Sequence, residues 1–159
     1  IKMINYRLIP SLLLDGSKLV KTVNFNKRKY VGDPINVVKI LNDKEVDELI
    51  VLDINASKFQ TEPNYELISE FASECFIPLS YGGGIKTLDQ ASKLFKIGIE
   101  KISLQTAILD DFEFITKLAD SFGSQSIIIS VDIKKNIFGK YKLYDSRIKK
   151  KLNINWLEF

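Results

Sequence analysis

The sequence predicts an α/β fold, a parallel sheet whose strands are joined by helical crossovers. Three observations carry this. Short apolar runs alternate with stretches of helical spacing, five times over, and no Pro- or Ser-rich linker divides them. The strand candidates are nearly all apolar, as strands covered on both faces are. Polar residues and glycines gather at the C-terminal ends of those strands: Asp53, Gly82 to Gly84, Ser103 to Thr106, and Asp132. Two closures are open at this point, a doubly wound open sheet or part of an eight-stranded barrel, whose enzymes keep their chemistry at that rim. One domain over residues 1–159, long enough for a sizeable core, is expected.

Strand one is Leu8 to Leu14. A polar loop follows from Asp15 through Lys27-Arg28-Lys29 to Gly32. Asp33 and Pro34 then supply an N-cap and a first helical position, and Ile35, Val38 and Leu41 give the helix one apolar face. Strand two is Leu49 to Asp53, and its helix starts near Pro63 with Leu67, Ile68, Phe71, Ala72 and Cys75 along one face. Strand three begins at Ile77 and runs into Gly82-Gly83-Gly84. Thr87 and Gln90 read as a capping box for a helix carrying Leu88, Ala91, Leu94 and Phe95, stopped by Gly98.

Strand four is Lys101 to Leu104. Asp110 or Asp111 caps the next helix, which buries Phe112, Ile115, Leu118, Ala119 and Phe122 and ends at Gly123. Strand five runs from Ser126 to Asp132 around the β-branched Ile127-Ile128-Ile129. A hairpin excursion follows, Lys135 to Phe138, a turn at Gly139, then Tyr141 to Tyr144. The segment from Asn153 to Phe159 opens another helix.

Composition narrows the chemistry. Hydrophobic content of 45% and charged content of 27% are those of a soluble globular protein. No apolar run approaches membrane-spanning length and no signal-peptide pattern is seen, so a cytoplasmic protein without membrane contact is expected. There is no His, which removes the usual general base and the commonest metal ligand, so acid–base work falls to carboxylates, Lys or Tyr. Cys75, the one cysteine, falls on an apolar helix face and reads as a buried thiol. Between Ile133 and Lys151 stand eight Lys or Arg against one acid, Asp145, although the whole chain is only +3. That is not a uniformly basic nucleic-acid surface; it reads as a solvated hairpin or a contact for an anionic ligand or partner.

The stretch from Ile77 to Thr87 is the most pointed motif. Glycines leave no Cβ between a ligand and the backbone amides, and a helix start favours an anion through unpaired N–H groups. The plainer reading is a tight strand-to-helix turn, for which a single glycine would serve.

A family resemblance then becomes specific. Its carriers are Arg7-Leu8-Ile9-Pro10, Val20-Lys21 with Asn24-Phe25, Gly32-Asp33-Pro34, Asp47 through Asp53 to Ser57, Gly82-Gly83-Gly84-Ile85, Lys101-Ile102-Ser103, Phe122-Gly123-Ser124-Gln125-Ser126 and Val131-Asp132. In order and over nearly the whole chain, these resemble the cyclase subunit of imidazole glycerol phosphate synthase. The resemblance implies a (βα)8 TIM barrel of the ribulose-phosphate-binding type, here about five βα units, a partial barrel. It also implies a glutaminase partner that delivers ammonia, a phosphorylated small-molecule ligand, and neither cofactor nor metal.

Residue by residue, Asp132 matches the acid–base aspartate at the end of strand five, its plainer reading being a loop-capping carboxylate. Gly82, Gly83 and Gly84, with Ser103 and Thr106, match a phosphate site. Gln105 stands where the family usually has Asn. Lys21 matches a basic residue in the loop over the substrate and reads equally as a solvated side chain. Asp53 matches a rim aspartate and equally well caps its own loop. Arg7, Glu48 and Lys101 match the charged ring at the opposite mouth, where ammonia enters, and read otherwise as structural salt bridges, the usual role of charges at that face.

Two departures redirect the expectation. The family has an aspartate at the end of strand one, and this sequence has Leu13, which can neither donate nor accept a proton. The Leu12-Leu13-Leu14 ending resembles the glycosyl-amidation paralogue of surface-polysaccharide gene sets. The second departure is five strands where a barrel needs eight, which leaves two unpaired parallel edges and an apolar inner face. Such a piece pairs with another copy through those edges, rearranges, or is a fragment of a longer protein, and a truncated gene product is expected. The leading function is therefore an ammonia-channelling barrel subunit of a glutamine-dependent system that serves a sugar amidotransferase in lipopolysaccharide or other surface-glycan synthesis. The alternatives are the histidine-pathway cyclase itself, a lyase, and a non-catalytic piece that self-associates or docks a glutaminase.

Overall fold

The computed structural model describes residues 6–23, 27–135, 139–145 and 147–152. Asn24-Phe25, the first hairpin arm at 136–138 and the helix expected at 153–159 lie outside the described residues. The contacts divide the chain into two compact units, Ile1–Ile128 and Ile129–Phe159.

The first unit opens with β1 (Ser11–Asp15), β2 (Lys18–Val23) and β3 (Lys27–Gly32), followed by α1 (Pro34–Asp43) and β4 (Leu49–Asp53). Next come α2 (Ala56–Phe59), α3 (Tyr65–Glu74), β5 (Leu79–Gly82), α4 (Leu88–Ile97) and β6 (Lys101–Leu104). It closes with α5 (Thr106–Asp110), α6 (Glu113–Phe122), a 3-10 turn at Ser124–Ser126 and the start of β7 (Ile127–Ile129). Among the described residues the sheet order is β3-β2-β1-β4-β5-β6-β7, with β1, β4, β5 and β6 parallel. The α/β architecture expected from the alternation is therefore present.

Register sets which residues share a face. Leu13, Leu52, Gly82 and Ser103 lie side by side across four strands. The neighbouring row is Leu12, Val51, Tyr81 and Ile102, whose side chains point the other way. On that second face Leu14, Leu49, Val51, Leu79, Tyr81, Ile102 and Leu104 are buried. The helices supply the buried Val38, Ile68, Phe71, Ala91, Leu94 and Leu118 that complete this core.

Helix boundaries follow the local chemistry. Asp33 Oδ1 accepts from the Asn36 amide at 3.0 Å, with Pro34 opening α1. Thr87 and Gln90 form the expected capping box, and Gly98 closes α4 at φ 114°. α3 starts next to Pro63, as expected, with Asn64 as its cap through the Leu67 amide, and the short α2 precedes it. Phe112 takes the N-cap position of α6 in place of Asp110 or Asp111 and is 49% exposed rather than in the helix core, while Asp111 Oδ1 accepts the Glu113 amide at 2.9 Å. Cys75 lies one residue past α3, where its half-buried Sγ–H donates to the Ile77 carbonyl at 3.3 Å. Burial pushes that thiol's pKa up.

Three expectations are corrected. The polar loop from Asp15 to Gly32 is a turn at Gly16, with φ 63°, that leads from β1 into a β-ribbon of β2 and β3. It continues the sheet beyond β1, so that side of the parallel strands is covered by an antiparallel neighbour rather than left open. Strand one begins at Ser11 instead of Leu8, because Pro10 has no N–H for the ladder. Leu8 and Pro10 nevertheless accept amides from Asp47 and Ile50 at 3.1 and 3.0 Å. Strand five is limited to Ile127–Ile129, and Ile129 is 45% exposed.

The second unit contains an antiparallel sheet of β8 (Ile133–Lys135), β9 (Tyr141–Asp145) and β10 (Lys150–Lys151), with β9 central. Its buried residues include Leu143 and Asp145. Asp145 grips Arg147 through Oδ2 to Nη2 at 2.8 Å and Oδ1 to Nε at 3.1 Å. The Arg147 hydrogen bond, against the opposing effect of burial, holds the Asp145 carboxyl below the usual range. Lys134 Nζ lies 3.4 Å from the Tyr144 ring centroid, a cation–π contact.

Candidate functional site

At the N-terminal ends of the parallel strands, one carboxylate collects four hydrogen bonds from three side chains. Glu48 directly precedes β4 and is 1% exposed. Its Oε1 accepts from Ser80 Oγ at 2.9 Å and from Lys101 Nζ at 2.6 Å. Its Oε2 accepts from Lys101 Nζ and Arg7 Nη2, both at 2.7 Å. Lys101 opens β6 and Ser80 lies within β5, so three adjacent parallel segments converge on Glu48. Burial alone would raise the Glu48 pKa. The hydrogen bonds from Lys101 and Ser80 and the charges of Lys101 and Arg7 outweigh it, so the carboxyl is held below its ordinary range.

The structure thus brings Arg7, Glu48 and Lys101 together, and adds Ser80, which sequence reasoning missed. Ser80 precedes Gly82 by two residues and shares the face of Gly82 and Lys101, but only the register of the folded strands shows it.

At the opposite strand ends, each glycine has a steric reason. A Cβ on Gly82 would lie 2.8 Å from Leu52 Cδ2 and 3.0 Å from the Ser103 carbonyl oxygen. One on Gly83, at φ 132°, would lie 2.8 Å from the Asp53 carbonyl oxygen. One on Gly84, at φ 73°, would lie 2.6 Å from the Thr61 carbonyl oxygen. The capping box occupies the Lys86, Thr87 and Gln90 amides of this strand-to-helix turn, with Gln90 Oε1 taking the first at 2.7 Å.

Gly84 and Thr106 line one cleft of about 180 Å³ together with Ser57, Gln60, Lys86 and Asp111. Lys86 Nζ donates to Gln60 Oε1 there. Ser103 is buried in β6 and Gln105 leads into α5. Asp53 caps its own loop: Oδ1 accepts the Asn55 and Ala56 amides at 2.8 and 3.0 Å.

Lys21 is exposed on β2 opposite Lys29. Val20 pairs with Leu13, so Lys21 lies on the other face of the sheet from Leu13. Asp132 belongs to the second unit, half-buried, its carbonyl accepting the Tyr144 amide at 2.8 Å. Leu13 is half-buried on the Gly82 face.

A second polar cluster was also missed. Arg28 Nη1 meets Asp15 Oδ2 at 2.7 Å, and Nη2 donates to Asn55 Oδ1 at 3.0 Å. Asn55 Nδ2 completes the ring by donating to Asp15 Oδ1. The Arg28 hydrogen bond is the main reason the Asp15 carboxyl lies below its usual range, against a smaller opposing effect of burial.

Successive βα units, a charged cluster where the parallel strands start and glycines where they end define a protein of the βα-barrel class. The chain belongs to the family described as histidine biosynthesis protein, a TIM-barrel family whose model matches residues 7–159. It is 52% identical over 159 residues to a Pseudomonas aeruginosa protein provisionally named imidazole glycerol phosphate synthase subunit hisF2, covering 98% of this chain and 63% of that one. A Vibrio vulnificus protein provisionally named as subunit hisF3 of the same synthase is 48% identical, covering 99% and 61%. The imidazole glycerol phosphate synthase subunit HisF of Helicobacter hepaticus is 39% identical over 138 residues, 87% of this chain and 55% of that one. The chain spans 55% to 63% of the length of these relatives. Among the described residues, no helix is long and apolar enough to cross a membrane.

Proposed function

We propose that this chain supplies the βα units of a cyclase-type subunit that uses ammonia from a glutaminase, in the manner of imidazole glycerol phosphate synthase. The observation that carries the reading is the Glu48 cluster at one end of the same strands whose other ends carry the glycine loop. Ammonia enters past Arg7, Glu48 and Lys101, and the phosphorylated ligand is held near Gly82 to Gly84, Ser103, Gln105 and Thr106. Glu48, with both oxygens occupied by cations and Ser80, stays ionised and holds the Lys101 ammonium in place. Asp132 supplies the proton-transfer carboxylate, and the reaction is the lyase step on a bis-phosphorylated ribulosyl intermediate.

Leu13 favours a second reading. The cyclase places a carboxylate there, and a leucine moves no proton. Under this reading the protein passes ammonia on to a sugar amidotransferase of surface-glycan synthesis and performs no ring closure. One experiment separates the two. Ammonia-dependent turnover of the ribulosyl intermediate is measured for the native protein and for Leu13→Asp, each with the glutaminase. Turnover by the native form supports the cyclase. Turnover by Leu13→Asp alone, with glutaminase activity stimulated by both forms, supports ammonia delivery. No stimulation by either form counts against both readings.

A further inference from the structure

The geometry points to Arg28 as the cation of the β2–β3 ribbon that contacts a phosphorylated ligand, with Asp15 and Asn55 as the positioning residues that aim it. This rests on the phosphate-binding reading above and names a residue for it.

The first support is which side of the sheet each cation occupies. Val20 pairs with Leu13, so Val20 and Thr22 share the Leu13 face, and Thr22 pairs with Arg28. Arg28 therefore projects on the side of Leu13, Leu52 and Gly82. Lys21 and Lys29, directly opposite each other, project on the reverse side with Leu19.

The second support is the closed ring of Arg28, Asp15 and Asn55. Each of the three side chains is held by the other two, from the end of β1, the ribbon and the turn after β4. The ring fixes the guanidinium plane but engages one donor on each of Nη1 and Nη2, and a guanidinium carries more than these. Arg28 and Asp15 keep 35% and 30% of their side-chain surface exposed. The head is thus oriented yet open, which removes rotamer freedom before a ligand arrives. A planar fork held this way suits phosphate oxygens better than a lone ammonium does.

The third support is continuity with the glycine loop. The Asn55 amide donates to Asp53 Oδ1 at 2.8 Å, and the Asp53 Cβ lies where a Gly83 Cβ would come within 2.8 Å of it. The ring is therefore braced against the loop that the phosphate reading uses.

The test is calorimetric titration of the 159-residue chain with inorganic phosphate. Arg28→Ala is expected to weaken binding about tenfold, the loss of a charge-assisted hydrogen bond. Lys21→Ala is expected to change it less than about twofold. Arg28→Lys keeps the charge and loses the fork. It should weaken binding while amide exchange in β2 and β3 stays as in the native chain, which separates ligand contact from a purely structural tie. If the native chain binds phosphate and Arg28→Ala binds it equally well, or Lys21→Ala shows the larger loss, the assignment of Arg28 is overturned and the phosphate reading stands. If the native chain binds no phosphate, both are overturned.

Discussion

Glu48 shows what one buried carboxylate can organise. It has two cationic partners, and its side chain is 2% exposed against 25% for Lys101 and 54% for Arg7. Removing it leaves two like charges facing a gap without their acceptor, but both retain access to water. The expected cost of Glu48→Ala is therefore about 2 kcal/mol, below that of orphaning a fully buried ion. Urea unfolding at neutral pH measures it. The sign of the acid dependence follows from the depressed pKa. The contribution is present above the ordinary glutamate range and is lost as pH falls through the lower folded value. The difference between the native chain and Glu48→Gln should accordingly shrink as pH is lowered from neutral to about 3. Of this cluster, Arg7, Glu48 and Lys101 were legible through a resemblance. Ser80 was not, because a serine inside an apolar run does not reveal its partner.

At the scale of elements, the glycine loop and the ribbon test how far sequence reasoning reaches. The loop reads as an anion cradle, yet Leu52, Asp53 and Thr61 each crowd one of the glycines. The glycines are therefore required by packing whatever they bind, and their number alone argues for no ligand. Gly84 and Gly16 separate strain from crowding. Both have positive φ, 73° and 63°, but a Cβ at Gly16 meets nothing within 4 Å, whereas at Gly84 it meets a carbonyl oxygen at 2.6 Å. Gly16→Ala should cost about 1 kcal/mol from the backbone alone, and Gly84→Ala at least about twice that. Thermal unfolding of the two variants checks the order, and equal losses would refute it. The ribbon was missed because Lys27-Arg28-Lys29 reads as a solvated run. Asp15-Gly16, between two β-branched or leucine-rich stretches, was the turn signal that could have found it. By contrast β4 and β6 were legible to the residue, β4 as a short apolar run sharply bounded by polar residues and β6 as the short stretch between the stop at Gly98 and the next helix.

For the whole molecule, the residue inventory fixes the shape of stability against pH. The chain has no histidine, so no side chain with an ordinary pKa titrates between the carboxylates and the thiol. On the acid side Asp15, Glu48 and Asp145 all have depressed pKa values, the main lowering causes being Arg28, Lys101 and Arg147. Below the ordinary carboxylate range the unfolded chain binds more protons than the folded one, and stability falls with pH. On the alkaline side burial raises the pKa of Cys75, Tyr65 and Tyr81, the last 1% exposed. These groups ionise first in the unfolded chain, so stability falls again as pH rises past the ordinary thiol value. The absent histidine could be read from the sequence. The depressed carboxylates could not, since Asp15, Glu48 and Asp145 become special only when folding brings Arg28 and Lys101 across the sheet and turns Arg147 back. Unfolding free energy measured by urea from pH 3 to 10 should be level between about 5.5 and 8 and decline on both sides. A step of about 1 kcal/mol between pH 6 and 7 would mean that a carboxyl or thiol is shifted into that range, contrary to the environments of Glu48 and Cys75 described above.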